Sequence, residues 1–329
     1  MTKAVTAKDV ARAAGVSQAT VSYVINDTPT QSISADTRAR VLAAVADLGY
    51  TPSAAARALR RGTSDVVLLL LPDVPFGPVV AHVIEQLTDD LEPAGLTTVT
   101  RRMRAGSPVS ALWREIRPVA VVVIGGLVDR DEHEMRAAGI HVLSTMLSTS
   151  AGHIGADVPQ VIIGRLQVEH LAATGHRRIG YAAPDDARVS DFYRLRLDGV
   201  RSACLDLGLD DPVVLPVHLD ATEAEGAVRT WLGLPEPVTG VCAYNDETAF
   251  AVLAGLHRAG LSAPGDLAVI GVDNIPLAGL ASPPLTTIDQ NIDAVAGYLA
   301  AEIVHLVQAG PAPRPLSADN VRLVIRESA

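Results

Sequence analysis

Short apolar runs punctuate the chain from residue 66 onward. Residues 66–71 read VVLLLL and residues 119–124 read VAVVVI, each the length of a strand buried on both faces. Similar runs near 96–100, 140–145, 178–183, 213–217, 238–243 and 267–272 alternate with longer stretches that predict helices. Several of those helices stop on a glycine just before the next run, as in Ala94-Gly95-Leu96, Ala138-Gly139-Ile140 and Ala259-Gly260-Leu261, as a left-handed C-cap requires. Such alternation predicts mostly parallel sheets with helices on both faces. A last strand-like segment, VRLVIRE, occupies residues 321–327.

Residues 1–62 follow the helical period instead. Thr6 is placed to cap a helix and has Asp9 three residues on, a near capping box. Val10, Ala11 and Ala14 give that helix one apolar face, and Gly15 frees the chain for a tight turn. Ser17 can then cap a second helix over residues 18–25. Val21, Val24 and Ile25 should face inward there, leaving Gln18, Ala19, Ser22, Tyr23 and Asn26 on or near the outer face. A third helix is expected after Ser34, with Val41, Leu42, Val45 and Leu48 at helical spacing and Gly49 as its stop. Between Pro52 and Gly62, Ser53 can cap a short alanine-rich helix, which at this length is marginal in water by itself.

Charge divides the chain in the same place. The net charge of the 329 residues is −10. Residues 1–62 hold eight Lys and Arg against four Asp, a net +4, which leaves −14 for the remainder. A basic head on an acidic body suits a head that meets phosphates while the body is repelled from them. The apolar runs fall well short of the roughly 20 residues that span a bilayer. The opening MTKAVTAKDV lacks the apolar core of a secretion signal. The only cysteines, Cys204 and Cys242, sit among apolar neighbours without metal-ligand spacing, so they read as core residues of a protein in the reducing cytoplasm.

The wording of the head is more specific than its spacing. VTAKDVARAAGVSQATVSYVIND followed by SADTRARVLAAVADLGYTPSAAARALRRG, across residues 5–62, closely resembles the head and hinge of the lactose-repressor (LacI/GalR) family of bacterial transcriptional regulators. The second half carries the resemblance in GHRRIGYA, RLRLDGVRSA, VCAYNDETAFAVLAGLHRAGL and LAVIGVDNIPLAGLASPPLTTIDQN. Residues 72–160 match more loosely. The resemblance implies an α/β protein: a small all-α helix-turn-helix head plus a periplasmic-binding-protein-like core of two doubly wound parallel-sheet lobes. The expected division is a DNA-binding domain at 1–49, a hinge helix and linker at 50–63, and an effector-binding and dimerisation domain at 64–329. Within the latter, lobe 1 would comprise about 64–147 and 288–309, and lobe 2 about 148–285 and 310–329. Chain crossovers are expected near 145–151 and 282–291.

By the same resemblance, the helix opening at Gln18 enters the major groove, with Gln18 and Ala19 at the two positions that chiefly choose the operator. Gln can pair bidentately with adenine, whereas Ala offers only a methyl contact. Tyr23 stands where most members have Arg, which removes a guanine contact. Thr6, Ser17, Ser22, Asn26 and Ser34 match positions that contact phosphate or neighbouring bases, though each is equally suited to be a helix cap or solvated surface. Leu59 matches a leucine that wedges open a base step in the minor groove; a simple dimer contact is its alternative. A homodimer and a near-palindromic operator follow.

Sheet geometry places ligands beyond the carboxyl ends of parallel strands. Residues there or on matching family positions are the effector candidates: Asp73, Phe76, Arg196, Asn245, Asp273 and Gln290. The carboxylate could accept two hydroxyl hydrogens, the amides could donate and accept, and the Arg fork could hold adjacent oxygens. The expected effector is a small molecule, a sugar or related metabolite. After the fourth strand, Leu143-Ser144-Thr145-Met146 stands where relatives commonly have an acidic hydroxyl-binding residue, so no particular sugar follows. The consecutive Asp129, Asp131, Glu132, His133 and Glu134 would point in different directions on a helix, which predicts a solvated first turn and no metal site. Neither a dinucleotide fingerprint nor a P-loop, zinc-protease or nucleophile-elbow motif is present, so neither enzyme chemistry nor a cofactor is expected. A transporter's solute-binding protein would need the same lobes with an export signal and no basic head.

Overall fold

The computed structural model describes residues 5–25, 32–51, 62–104, 109–125, 127, 129–145, 159–316 and 320–329. Asn26, Leu59, most of the hinge, the first crossover and Met146 lie outside the described residues. Two compact units divide at Asp65 and Val66.

In the first unit, α1 (Ala7–Ala14), α2 (Gln18–Ile25) and α3 (Ala35–Leu48) close on Val10, Ala11, Ala14, Val21, Val24, Val41 and Ala44. The Asp9 carboxylate accepts from the Thr6 N–H at 3.0 Å and its hydroxyl at 2.6 Å, which starts α1. Gly15, at φ +67°, ends it in a conformation that costs a side chain about 1–2 kcal/mol. Thr20 N–H donates to Ser17 Oγ at 3.1 Å and Thr37 N–H to Ser34 Oγ at 3.3 Å, so both serines cap the helices that follow them. Leu42 and Leu48, which share the helical spacing of Val41 and Val45, are 49% and 37% exposed. Ala44 takes the buried position instead, because one turn of α3 reaches the small core and its flanks do not.

In the second unit, one sheet holds β1 (Val66–Leu71), β2 (Thr97–Arg102), β3 (Ala120–Ile124) and β4 (His141–Thr145) in the order β2-β1-β3-β4, all parallel. Leu68, Leu70, Val121 and Val123 face one way, toward Trp113 and Met135. They lie under α5 (Ser110–Ile116) and α6 (Asp129–Ala137). Val67, Leu69, Leu71, Val122 and Ile124 face the other way, into a cluster with Leu87 and Leu91 of α4 (Pro78–Leu91) and Ile303 of α11 (Ile292–Gln308). Two-sided burial explains why these strands lack the alternation of a half-exposed strand, and each fully buried Leu or Val contributes roughly 1.5–3 kcal/mol.

The other sheet runs β10-β9-β8-β7-β5-β6, from β5 (Ile179–Pro184), β6 (Val213–Val217), β7 (Gly240–Ala243), β8 (Ala268–Val272), β9 (Thr286–Asp289) and β10 (Arg322–Val324). Only β10 is antiparallel. The helices α7 (Gln160–Ala173), α8 (Ser190–Asp206), α9 (Ala221–Leu232) and α10 (Asp246–Arg258) cover its faces. The stretch 282–291, expected as a crossover, contains β9, whose Ile270–Thr286 to Val272–Ile288 register extends this sheet. The return toward the first sheet therefore follows Asp289.

Candidate functional site

In the first unit, Gln18 and Ala19 are exposed at the start of α2, while Ser22 and Tyr23 are half-buried one turn on. Thr6, Ser17 and Ser34 are exposed. Their hydroxyls nevertheless serve the first turns of α1, α2 and α3, as the hydrogen bonds above show, so a phosphate contact would be added to the capping role.

In the second unit, the strand ends of both sheets meet at a cavity of about 430 Å³. Each sheet reverses its winding beside it: β1 lies between β2 and β3, and β5 between β6 and β7. Such switch points splay the following loops apart and leave room for a ligand. The cavity is lined from β1 and β3 by Pro72, Val74, Phe76 and Ile124, and from β5, β7, β8 and β9 by Asp186, Asn245, Asp273 and Gln290, among others.

Arg196 is the buried cation of the site, 5% exposed. Its placement begins with two glycines. A Cβ on Gly164 of α7 would lie 2.0 Å from Arg196 O, and one on Gly199 of α8 would lie 2.0 Å from Val161 O. The two helices therefore touch backbone to backbone. That approach sets Gln160 Oε1 2.7 Å from Arg196 Nε, which donates to it. Arg196 Nη1 donates to Tyr244 O at 2.6 Å, and the guanidinium stacks 4.8 Å over the Tyr244 ring. Its remaining nitrogen is 3.8 Å from Asp273 Oδ1, too long for a hydrogen bond but close enough to share charge.

Asp273 follows β8 at φ +112°, a conformation that costs a non-glycine residue about 1–3 kcal/mol and is held only by its surroundings. Its N–H donates to Ile288 O at 2.8 Å, and its carboxylate accepts from Gln290 Nε2. Burial pushes its pKa up to about 6 against the pull of Arg196 and Gln290. Beneath it, buried Asp246 accepts from Thr287 Oγ1 at 2.6 Å and from Ile275 N–H at 2.9 Å. Burial, with the Asp273 charge adding to it, pushes Asp246 up to about 7. Asn245 caps α10, its Oδ1 accepting from Thr248 N–H at 2.9 Å.

The structure thus brings Arg196, Asn245, Asp273, Gln290 and Phe76 to one cavity. Asp73 does not line it. Its carboxylate is turned to Arg102 Nε at 2.8 Å, because Arg102, at the end of the neighbouring β2, also donates to Val74 O at 2.9 Å and stacks 5.3 Å from Phe76. Sequence reasoning missed Gln160, Tyr244, Asp246 and Glu247. The last three follow β7 within a quoted stretch and could have been found from strand-end position; Gln160 reaches the site only through the packing of α7 on α8. On α6, the acidic residues expected to be solvated make surface ion pairs, Glu134 with Arg114 at 2.6 Å and Glu132 with Arg136 at 2.9 Å.

Comparison with known proteins extends these observations. Residues 6–53 match the lacI family of bacterial regulatory proteins, and residues 168–329 a periplasmic binding protein-like domain. The transcriptional repressor PurR of Photobacterium profundum is 31% identical, with 98% of each chain covered. The chain belongs to the lacI family. Other lacI-family relatives include the regulator GalR of Escherichia coli, 31% identical over 98% of this chain and 95% of that one, and the E. coli ribose operon repressor, 31% identical over 91% and 92%. Among solved structures, the lac repressor dimer bound to operator and the anti-inducer ONPF superposes with TM-score 0.81 at 26% identity, covering 99% of both chains. This lacI-family member is a DNA-binding transcriptional regulator controlled by a small molecule.

Proposed function

We propose that the chain is a cytoplasmic, dimeric repressor whose affinity for a near-palindromic operator is set by a sugar or related metabolite held between the two sheets. Arg196, Asn245, Asp273 and Gln290 would orient the effector, and Phe76 would stand on the wall opposite. Gln18 and Ala19 would read bases, with Thr6, Ser17, Ser22, Tyr23, Asn26 and Ser34 on phosphates or flanking bases and Leu59 in the minor groove. The observation that carries the reading is Arg196: a guanidinium fixed by Gln160 and Tyr244 beside a strained Asp273, at the end of a sheet where ligands bind. No catalytic role is assigned to any of these groups.

Two relatives support the dimer and the effector in part. The lac repressor was solved as a dimer on its operator, and the regulator CelR, 25% identical with TM-score 0.65, as a cellobiose complex. The deciding experiment is selection of bound sequences from a random DNA pool by the purified full chain at near-physiological salt. The expected result is an enriched palindrome that changes when Gln18 is replaced. A folded protein that enriches no sequence, with or without added sugars, would refute the operator reading.

A further inference from the structure

The Asp273 carboxylate enters the cavity from a turn that is held from beneath. Asp273 and Asn274 stand at φ +112° and +51°, two left-handed positions in a row without a glycine, a backbone that persists only where its surroundings fix it. Three successive N–H groups do the fixing. Asp273 N–H donates to Ile288 O at 2.8 Å, Asn274 N–H to Thr287 Oγ1 at 3.4 Å, and Ile275 N–H to Asp246 Oδ2 at 2.9 Å. The Thr287 hydroxyl completes the tie by donating to Asp246 Oδ1 at 2.6 Å. On the outer side of the turn, Asn274 Oδ1 accepts from Arg326 Nη2 at 2.7 Å, and the Asn274 amide donates to Asp289 Oδ2 at 3.2 Å.

The sheet is built to admit the carboxyl group that does this. Asp246 opens α10 next to the cap Asn245, and its side chain lies over the Gly271–Thr287 pair, where β8 and β9 run in register. A Cβ on Gly271 would overlap Asp246 Oδ1, so a glycine at that point of β8 is what leaves the space. Asp246 and Thr287 are each 0% exposed. Neither can touch a bound ligand, and both act on one only through the turn above them. A turn released from these bonds would relax to a commoner backbone conformation and carry the Asp273 carboxylate away from Arg196, now 3.8 Å from it.

Resting on the reading of this cavity as the effector site, we propose that Asp246 and Thr287 are positioning residues for the effector. Through the N–H groups of Asn274 and Ile275 they hold the turn that presents the Asp273 carboxylate. Their contribution to binding therefore exists only while Asp273 carries a carboxylate to aim.

The test is calorimetric titration of the full-length protein with a panel of free pentoses, hexoses and disaccharides. The tightest binder then serves as the probe for the variants, and operator binding shows that each variant is folded. T287V keeps the side-chain shape but leaves Asp246 Oδ1 and the Asn274 N–H without a partner, and should weaken the probe about tenfold. T287S restores the hydroxyl and should stay within about twofold of the parent. D246N, whose amide must meet a donor with a donor, should match T287V and carries the comparison if T287V does not fold. In a D273A background the further loss from T287V should shrink to about twofold or less, because no carboxylate remains to be aimed. Equal affinities of T287V and T287S overturn the positioning role. So does a T287V loss of the same size with and without the Asp273 carboxylate, which would mark a purely structural residue. Failure of every panel member to bind, or a D273A variant that binds the probe as tightly as the parent, refutes instead the reading of the cavity on which the inference rests.

Discussion

Arg196 can hold a ligand because its neighbours fix the guanidinium before anything binds. Gln160 and the Tyr244 carbonyl accept two of its N–H groups, so little side-chain entropy is left to lose on binding. R196A should therefore weaken effector binding at least a hundredfold while leaving operator binding intact. Paired titrations with effector and with operator DNA check this; loss of both would indicate misfolding. The two buried carboxylates give a second expectation. Asp246 and Asp273 are raised to about 7 and about 6 from ordinary values of 3.8, so the folded state binds their protons more tightly than the unfolded state does. Their stabilising effect is complete below pH 3.8 and is lost as pH rises through 6 and 7. D246N removes one of these protons from the balance. The urea midpoint of the variant relative to the parent should rise between pH 4 and 7, by the equivalent of a few kcal/mol. A pH-independent difference would show that Asp246 is not protonated in the fold. At this scale the sequence was partly legible. Arg196, Asn245, Asp273 and Gln290 stand at strand ends and within the motif, and the fold brings them to one cavity, whereas Asp73 is turned to Arg102, a partner on an adjacent strand that sequence order does not reveal.

Helices and strands were mostly visible as patterns, and the exceptions have physical causes. The strand β9 is four residues long and follows two prolines, so its apolar signal was too short to separate from a linker. The two exposed leucines of α3 followed the helical period but lay at the edges of a core built from small side chains. What no pattern revealed is the approach of α7 to α8, since a glycine inside a helix reads only as a weakness. Gly164 and Gly199 set the distance between Gln160 and Arg196, so they position the site without touching it. G199A would drive a methyl into the Val161 carbonyl and should cost about 1–3 kcal/mol in a urea melt. The variant that still folds should bind effector more weakly, because α8 must move away from α7. Unchanged stability and unchanged effector affinity would mean that the two helices separate freely. In the head, S17A and S34A each remove a cap and should cost about 1 kcal/mol. If either serine also touches phosphate, its variant will lose operator affinity beyond the fraction unfolded, which separates the two roles.

For the whole molecule, control rests on linkage between two sites carried by units of opposite charge. The head holds a net +4 and the remainder −14, so phosphates are attracted to one end of the chain and the effector site needs no such charge. Any influence of one on the other must then be conformational and must be reciprocal: a factor that effector applies to operator affinity, the operator applies to effector affinity. The lining by Pro72, Val74, Phe76 and Ile124 across from Arg196 gives the effector a means of favouring one arrangement of the lobes, since a ligand touching both sides stabilises the closed form by its differential affinity. Operator affinity measured with and without saturating effector, at fixed salt because phosphate contacts are steeply salt-dependent, should differ by about 5- to 150-fold. Effector affinity measured on free and operator-bound protein should differ by the same factor. Unequal factors would mean that a third state is populated. A factor of one, with effector demonstrably bound, would mean that this cavity is not the control site. L59A offers the complementary check, with specific binding falling far more than nonspecific binding. Equal losses would remove the wedge and leave coupling to be carried by the spacing of the two heads alone.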